Sequence, residues 1–214
     1  MRRITASIAL ALLSFASTAN ATTFLFNTDP FAGTTALTTP GRQIIGNESF
    51  ITFDIANDVF ALTASVFGVG DDVLFVNDFA PNLPSGNVNV IVLETFDNDN
   101  DPTTPFAAGN AANLIAAQIT TPGPGFFIYF NSNLDLPRLV FSTDLNDNTA
   151  DLKILFRMVN LAGQPGRDAM PTFTEANFDI ITPAEVPEPA TLLMTATGLL
   201  GALRHARRRR RTRG

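Results

Sequence analysis

Val88-Asn89-Val90-Ile91-Val92-Leu93-Glu94-Thr95 is the stretch that decides how the chain folds. It is rich in β-branched residues, its first half partly alternates apolar with polar, and clusters of Gly, Pro, Asn and Asp bound it on both sides. That is the pattern of a half-buried strand between turns. Outward from it the same reading recurs. Thr23–Phe26, Gln43–Ile45, Phe50–Ile55, Val59–Phe67 and Val73–Val76 precede it, and Phe126–Asn131, Arg138–Ser142, Leu152–Val159 and Asn177–Thr182 follow. Phe50-Ile51-Thr52-Phe53 repeats the partial alternation. Only Asn110–Ile119 reads as a helix, with Asn110 as its cap and Ala111, Leu114, Ile115 and Gln118 at helical spacing. Thr121-Pro122-Gly123-Pro124-Gly125 stops it. About ten short strands and one short helix predict an all-β, mainly β body: a β-sandwich or a jelly-roll-like fold.

Charge is distributed unevenly over the 214 residues. Residues 22–185 hold 19 of the 20 acidic groups and only five cations (Arg42, Arg138, Lys153, Arg157 and Arg167), a net charge of −14. A body of that sign repels phosphate backbones, so no nucleic-acid partner is expected. The chain has no Cys, and its single His, His205, lies in the basic tail. The body therefore has neither a Ser-His-Asp triad nor a Cys nucleophile, and no ordinary zinc site. Without Trp, and with Tyr129 as the one Tyr, it offers few of the amphipathic aromatics on which sugars or bases stack.

Both ends read as targeting segments. Arg2 and Arg3 precede an apolar run, Ile4–Ala16, and Ala19-Asn20-Ala21 supplies the small-x-small pattern of a signal peptidase site. Residues 1–21 are thus expected to form a signal helix carried by the Sec machinery and removed by signal peptidase at Ala19 and Ala21, leaving Thr22 first. At the other end Val186-Pro187-Glu188-Pro189 precedes the uncharged Ala190–Leu203, and Arg204, Arg207, Arg208, Arg209, Arg210, Arg211 and Arg213 follow. The two prolines keep the short motif extended, as a peptide entering a protease cleft must be. As a helix, 190–203 would span about 21 Å, short of the roughly 30 Å hydrocarbon core. Thinning of the bilayer and snorkelling of Arg204 and Arg207 would make up part of the gap. The arginine cluster is expected on the cytoplasmic side and the acidic body outside. Three segments follow: signal peptide 1–21, acidic β-sandwich 22–185, and tail 186–214, made of motif 186–189, apolar helix 190–203 and basic end 204–214.

This order of motif, apolar helix and arginine cluster resembles the PEP-CTERM sorting signal. The resemblance implies that an exosortase, a multi-pass membrane enzyme, recognises Pro187-Glu188-Pro189 and cuts the tail in a Gram-negative bacterium that makes extracellular polysaccharide. Residues 190–203 would then hold the membrane only until processing; a plain tail anchor that is never cut is the alternative. Asn110–Leu155 is also similar to a block of uncharacterised PEP-CTERM proteins, most distinctively over Thr120-Thr121-Pro122-Gly123-Pro124-Gly125-Phe126-Phe127-Ile128-Tyr129-Phe130. That likeness implies no activity.

Asp97-Asn98-Asp99-Asn100-Asp101 is the densest set of possible ligands. Asp97, Asp99 and Asp101 sit at the spacing that opens an EF-hand loop, but Pro102 stands where the loop needs Gly and Ala108 where it needs Glu. A looser Ca2+ site on these three, helped by Asp144, Asp147 or Asp151, is the one cofactor the sequence offers; ordinary Asp/Asn turns explain the same residues. The expected function is that of a non-enzymatic exported protein of the cell surface or extracellular matrix. It is held briefly in the inner membrane with its body in the periplasm, and extracellular polysaccharide is a candidate partner. The alternatives are a calcium-stabilised carbohydrate-binding or adhesive β-sandwich, and a hydrolase built on two carboxylates.

Overall fold

Four consecutive apolar strands make the centre of the molecule because each is covered on both faces. The computed structural model describes residues 21–101 and 103–182. Strands β6 (Val90–Leu93), β7 (Gly125–Asn131), β8 (Leu136–Ser142) and β9 (Leu152–Met158) are almost wholly buried. β2 (Ile44–Ile45) and β3 (Ser49–Ile51) both lie along the free side of β9, and β5 (Phe75–Asp78) closes the opposite edge beside β6. β1 (Thr23–Phe26), β4 (Val59–Thr63) and β10 (Phe178–Ile181) form a second, three-stranded sheet with β4 in the middle.

Because side chains alternate along a strand, the large sheet feeds two cores. Val90, Val92, Phe126, Ile128, Leu139 and Phe141 join Phe60, Leu62, Phe178 and Ile180 of the small sheet in the first. Ile91, Leu93, Phe127, Tyr129, Val140 and Ile154 face the other way, onto helix α2 (Ala108–Ala116), which buries Ala108, Ala111, Ala112 and Ile115. Runs that are apolar on both faces are what such a twice-covered sheet requires.

The mainly β, two-sheet expectation stands, but the pairing is not that of a jelly roll, whose strands are antiparallel. Of the eight strand pairings, six are parallel; only β7 with β8 and β8 with β9 are antiparallel. The parallel neighbours β6 and β7 are joined through α2 as a crossover. A bulge breaks the β8–β9 register: Leu139 pairs with Phe156 and Val140 with Ile154. Leu155 is the extra residue, so Leu155 and Phe156 both enter the first core.

Several local expectations are corrected. The run Val59–Phe67 is a strand only to Thr63; α1 (Ala64–Phe67) follows and ends at Gly68, whose φ of 67° lets its N–H return to the carbonyl of Ala64. Phe50–Ile55 leaves the ladder after Ile51, because the side-chain amide of Asn160 takes over. Its Oδ1 accepts the N–H of Phe53 at 2.8 Å and its Nδ2 donates to the Phe53 carbonyl at 3.0 Å. The helix expected over Asn110–Ile119 begins two residues earlier. Asn110 therefore lies inside it, and its Oδ1 accepts the Ala107 N–H at 3.1 Å. There is a third helix, α3 (Gly163–Ala169), in a Gly- and Pro-bearing segment that reads as a loop.

Candidate functional site

One cleft of about 220 Å³ brings aromatic, hydroxyl, carboxylate and guanidinium groups together. It lies where the chain leaves β6, where β7 turns into β8, and where α3 crosses that turn. Phe96, Asp97, Asp101 and Thr104 come from the segment between β6 and α2; Phe130, Ser132 and Asp135 come from the end of β7 and the following turn; Arg167 comes from α3. The turn is held locally. Asp135 takes a positive φ of 53°, its carbonyl accepts the Gly163 N–H at 2.8 Å, and Ser132 Oγ accepts the Phe106 N–H at 2.7 Å. Gly166 lets the first turn of α3 fold tightly onto the chain that enters it: a Cβ there would stand 1.7 Å from the Leu161 carbonyl oxygen.

Arg167 is the centre of the cleft. Its guanidinium carbon lies 5.0 Å from the ring centroid of Phe96 and 5.6 Å from that of Phe130, so the cation is held between two aromatic faces. Its Nε is buried with no hydrogen-bond partner, and among the described residues no carboxylate comes within ion-pair distance of it. Phe130 is buried, whereas Phe96 is 40% exposed and supplies an apolar wall. A guanidinium with unused donors stands beside acidic acceptors, two hydroxyls and an exposed ring. Such a set suits a ligand that both donates and accepts hydrogen bonds and carries an apolar face.

The structure does not bring the sequence-selected acids together as a ligand set. Asp97 and Asp101 share the cleft, but Asp99 is not among its lining residues. Each carboxylate is turned onto the backbone just after it. Asp97 Oδ1 accepts the N–H groups of Asp99 and Asn100, both at 3.1 Å, and Asp99 Oδ1 accepts that of Asp101 at 3.0 Å. Asp101 Oδ1 accepts both the N–H and the hydroxyl of Thr103, which holds its carboxyl below the usual range. Asp144, Asp147 and Asp151 serve other turns. Asp144 receives Gly123 and Asn146, Asp147 receives Thr149, and Asp151 receives Leu37 and Gln43. Among the described residues no three carboxylates converge as a cation site.

Among the described residues the one carboxyl pushed upward is that of Glu94, through burial and then the charge of Asp78. Neither lines the cleft, so the raised acid that a two-carboxylate hydrolase needs stands away from it. The sequence marks none of Arg167, Phe96, Phe130, Ser132 and Asp135 as a site residue. Their only signal is the positive charge of Arg167 in an acidic body; what joins them is the β7–β8 turn and α3.

The sorting motif Val186-Pro187-Glu188-Pro189, the apolar segment 190–203, the basic stop formed by Arg204, Arg207, Arg208, Arg209, Arg210, Arg211 and Arg213, and Ala19 of the signal site lie outside the described residues. Ala21 and Thr22 are within them, exposed and without regular structure. Among the described residues no helix is long and apolar enough to cross a membrane.

Residues 185–210 match the family model of the PEP-CTERM protein-sorting motif. The chain carries the mark of an exported protein that is anchored transiently in the membrane and processed by an exosortase. The match covers the tail alone, and the likeness of Asn110–Leu155 to uncharacterised proteins lies outside it. No curated protein and no solved structure matches the chain.

Proposed function

We propose that this chain is a non-enzymatic extracellular protein, delivered by exosortase sorting to the cell surface or to the polysaccharide matrix around the cell. The Sec machinery exports it, signal peptidase removes residues 1–21, and residues 190–203 hold it in the inner membrane with the acidic body in the periplasm. Cutting near Pro187-Glu188-Pro189 then releases the body from its arginine stop. The observation that carries this reading is the sorting-motif match at 185–210, which starts just after the last strand of the body ends at Ile181. The last strand of the body thus ends before the matched sorting segment begins. The lack of Cys and His in the body supports a role outside catalysis.

The test is the intact mass of the mature protein from native envelopes of cells with and without their exosortase. A C-terminus near Pro189 that reverts to Gly214 without the enzyme is expected; Gly214 in both strains overturns the reading in favour of a plain tail anchor. A second reading, a carbohydrate-binding β-sandwich, is favoured by the arrangement of Phe96, Arg167 and the cleft acids.

A further inference from the structure

We propose that removal of the signal peptide creates an ion pair: the new α-ammonium of Thr22 pairs with the buried carboxylate of Asp58 and fastens the first strand to the body. The inference rests on the secretion reading, in which the bond between Ala21 and Thr22 is cut.

The nitrogen is already in place. In the uncut chain the Thr22 N–H donates to Asp58 Oδ1 at 2.7 Å. Thr22 is held from its other end as well, because its carbonyl accepts the Val59 N–H at 3.0 Å. From there the parallel β1–β4 ladder begins, Thr23 beside Val59. The carboxylate is equally fixed. Asp58 is only 5% exposed, its Oδ2 accepts the Asp54 N–H at 2.8 Å, and its own N–H donates to the Asp54 carbonyl at 2.8 Å. Asn177, buried just before β10, donates its Nδ2 to the carbonyls of Ile55 and Asp58 at 2.7 and 3.1 Å. Asp54, the other carboxylate of this turn, directs its oxygens to Ala56 and Asn57.

Two observations separate this from an ordinary turn. Asp58 is a buried charge, yet among the described residues no cation stands within ion-pair distance of it. Buried carboxylates are costly unless compensated. Asp151 is also buried and also receives only backbone N–H groups, from Leu37 and Gln43, but no cut is expected beside either. At Asp58 one of the two donors belongs to the residue that becomes the first of the mature chain. Hydrolysis adds one water across the Ala21–Thr22 amide: Ala21 leaves with a carboxylate and Thr22 gains an ammonium. The hydrogen bond from a neutral amide to the carboxylate thereby becomes an ion pair with charge on both partners, without displacement of the nitrogen.

The mature chain contains two amines, because Lys153 is its only lysine. Lys153 is 8% exposed, with Nζ bonded to the Gly46 carbonyl. The exported, processed protein is isolated, its N-terminus is read by mass, and it is treated near pH 7 with an amine-reactive acylating reagent, folded and in urea. Pairing keeps the amine protonated, and each unit of pKa lowers the reactive fraction tenfold. The Thr22 amine is expected to react at least tenfold more slowly in the folded protein than in urea, and Asp58→Asn is expected to abolish most of that protection. A mature chain starting elsewhere overturns the proposal at the cleavage step. A chain starting at Thr22 whose amine reacts equally fast folded and unfolded overturns it at the pairing step, with no variant required.

Discussion

Arg138 Nη2 donates to Glu48 Oε1 at 2.6 Å, joining the middle of β8 to the link between the two short edge strands β2 and β3. Arg157 reaches the same oxygen from β9, also at 2.6 Å, and Arg138 extends to Tyr129 Oη at 3.3 Å. Three of the five cations of the body, Arg138, Arg157 and Lys153, thus serve the link that contains Gly46 and Glu48. The link lies opposite the β8–β9 bulge, where regular pairing fails. Side-chain charge does there what backbone hydrogen bonds do elsewhere along the edge.

Glu48→Gln should therefore cost more than a surface substitution. The Glu48 side chain is only 7% exposed, and removing one partner of a buried charged group costs roughly 3 kcal/mol. Burial raises the Glu48 carboxyl, but its own backbone N–H, Arg157 and Arg138 outweigh that and hold it below its ordinary value of 4.5. A depressed carboxyl contributes stability above its unfolded value and loses it as pH falls through the lower folded one. Urea unfolding should show the full gap between wild type and Glu48→Gln at pH 7. The gap should narrow as pH falls below about 4.5. A constant gap across that range would show that Glu48 is not held as an ion.

How far the sequence shows this is uneven, and the reason is range. Val90–Leu93 and Phe126–Asn131 are legible as strands from their apolar runs, but the half-buried reading of Val88–Thr95 is corrected, since Val90–Leu93 is buried on both faces. Val59–Phe67 misleads because Ala64–Phe67 has the composition of a strand, while the left-handed Gly68 closes it as a helical turn. Parallel pairing is invisible, since it depends on which strands meet and not on what each contains. The cleft is hidden for the same reason. Arg167 meets Phe96 across about seventy residues, and only α3 brings them together. The Asp97–Asp101 run is legible both as acids and as turn residues, and the structure favours the turns, because each carboxylate accepts the N–H of a residue just after it.

Phe60→Ala should test the contact between the two sheets. Its ring stacks on Phe53 with centroids 4.3 Å apart and 6° between planes, and Phe24, Phe156 and Phe178 surround it. Phe60 is fully buried at the centre of the small sheet. Truncating such a ring costs about 3–5 kcal/mol. Chemical denaturation should show a loss of that size; a loss under about 1 kcal/mol would mean the sheets do not depend on this stack.

Calcium should leave stability almost unchanged. A site of about 10⁻⁴ M affinity, typical of extracellular modules, would add about 2.7 kcal/mol at a hundredfold excess of ion. For a body of this size that corresponds to several degrees in Tm. Because Asp97, Asp99 and Asp101 are occupied with backbone N–H groups, a shift below about 1 °C between 10 mM Ca2+ and chelator is expected. A rise of several degrees that Asp97→Asn removes would instead establish a calcium site there.

The cleft can be separated from the scaffold through Arg167. Truncation to Ala removes two cation–π contacts, each worth about 0.5–1 kcal/mol where the cation is partly exposed. At 2–4 °C per kcal/mol, Tm should fall by only a few degrees. If the cleft holds a sugar, retention on the extracellular polysaccharide of the producing cells should fall much further, about tenfold, because the cleft loses its guanidinium donors. Arg167→Lys keeps the charge but not the planar fork that lies between Phe96 and Phe130, so it should recover stability better than retention. Equal retention by wild type, Arg167→Ala and Arg167→Lys would leave the guanidinium with a packing role alone, and the carbohydrate reading would lose the observation that favours it.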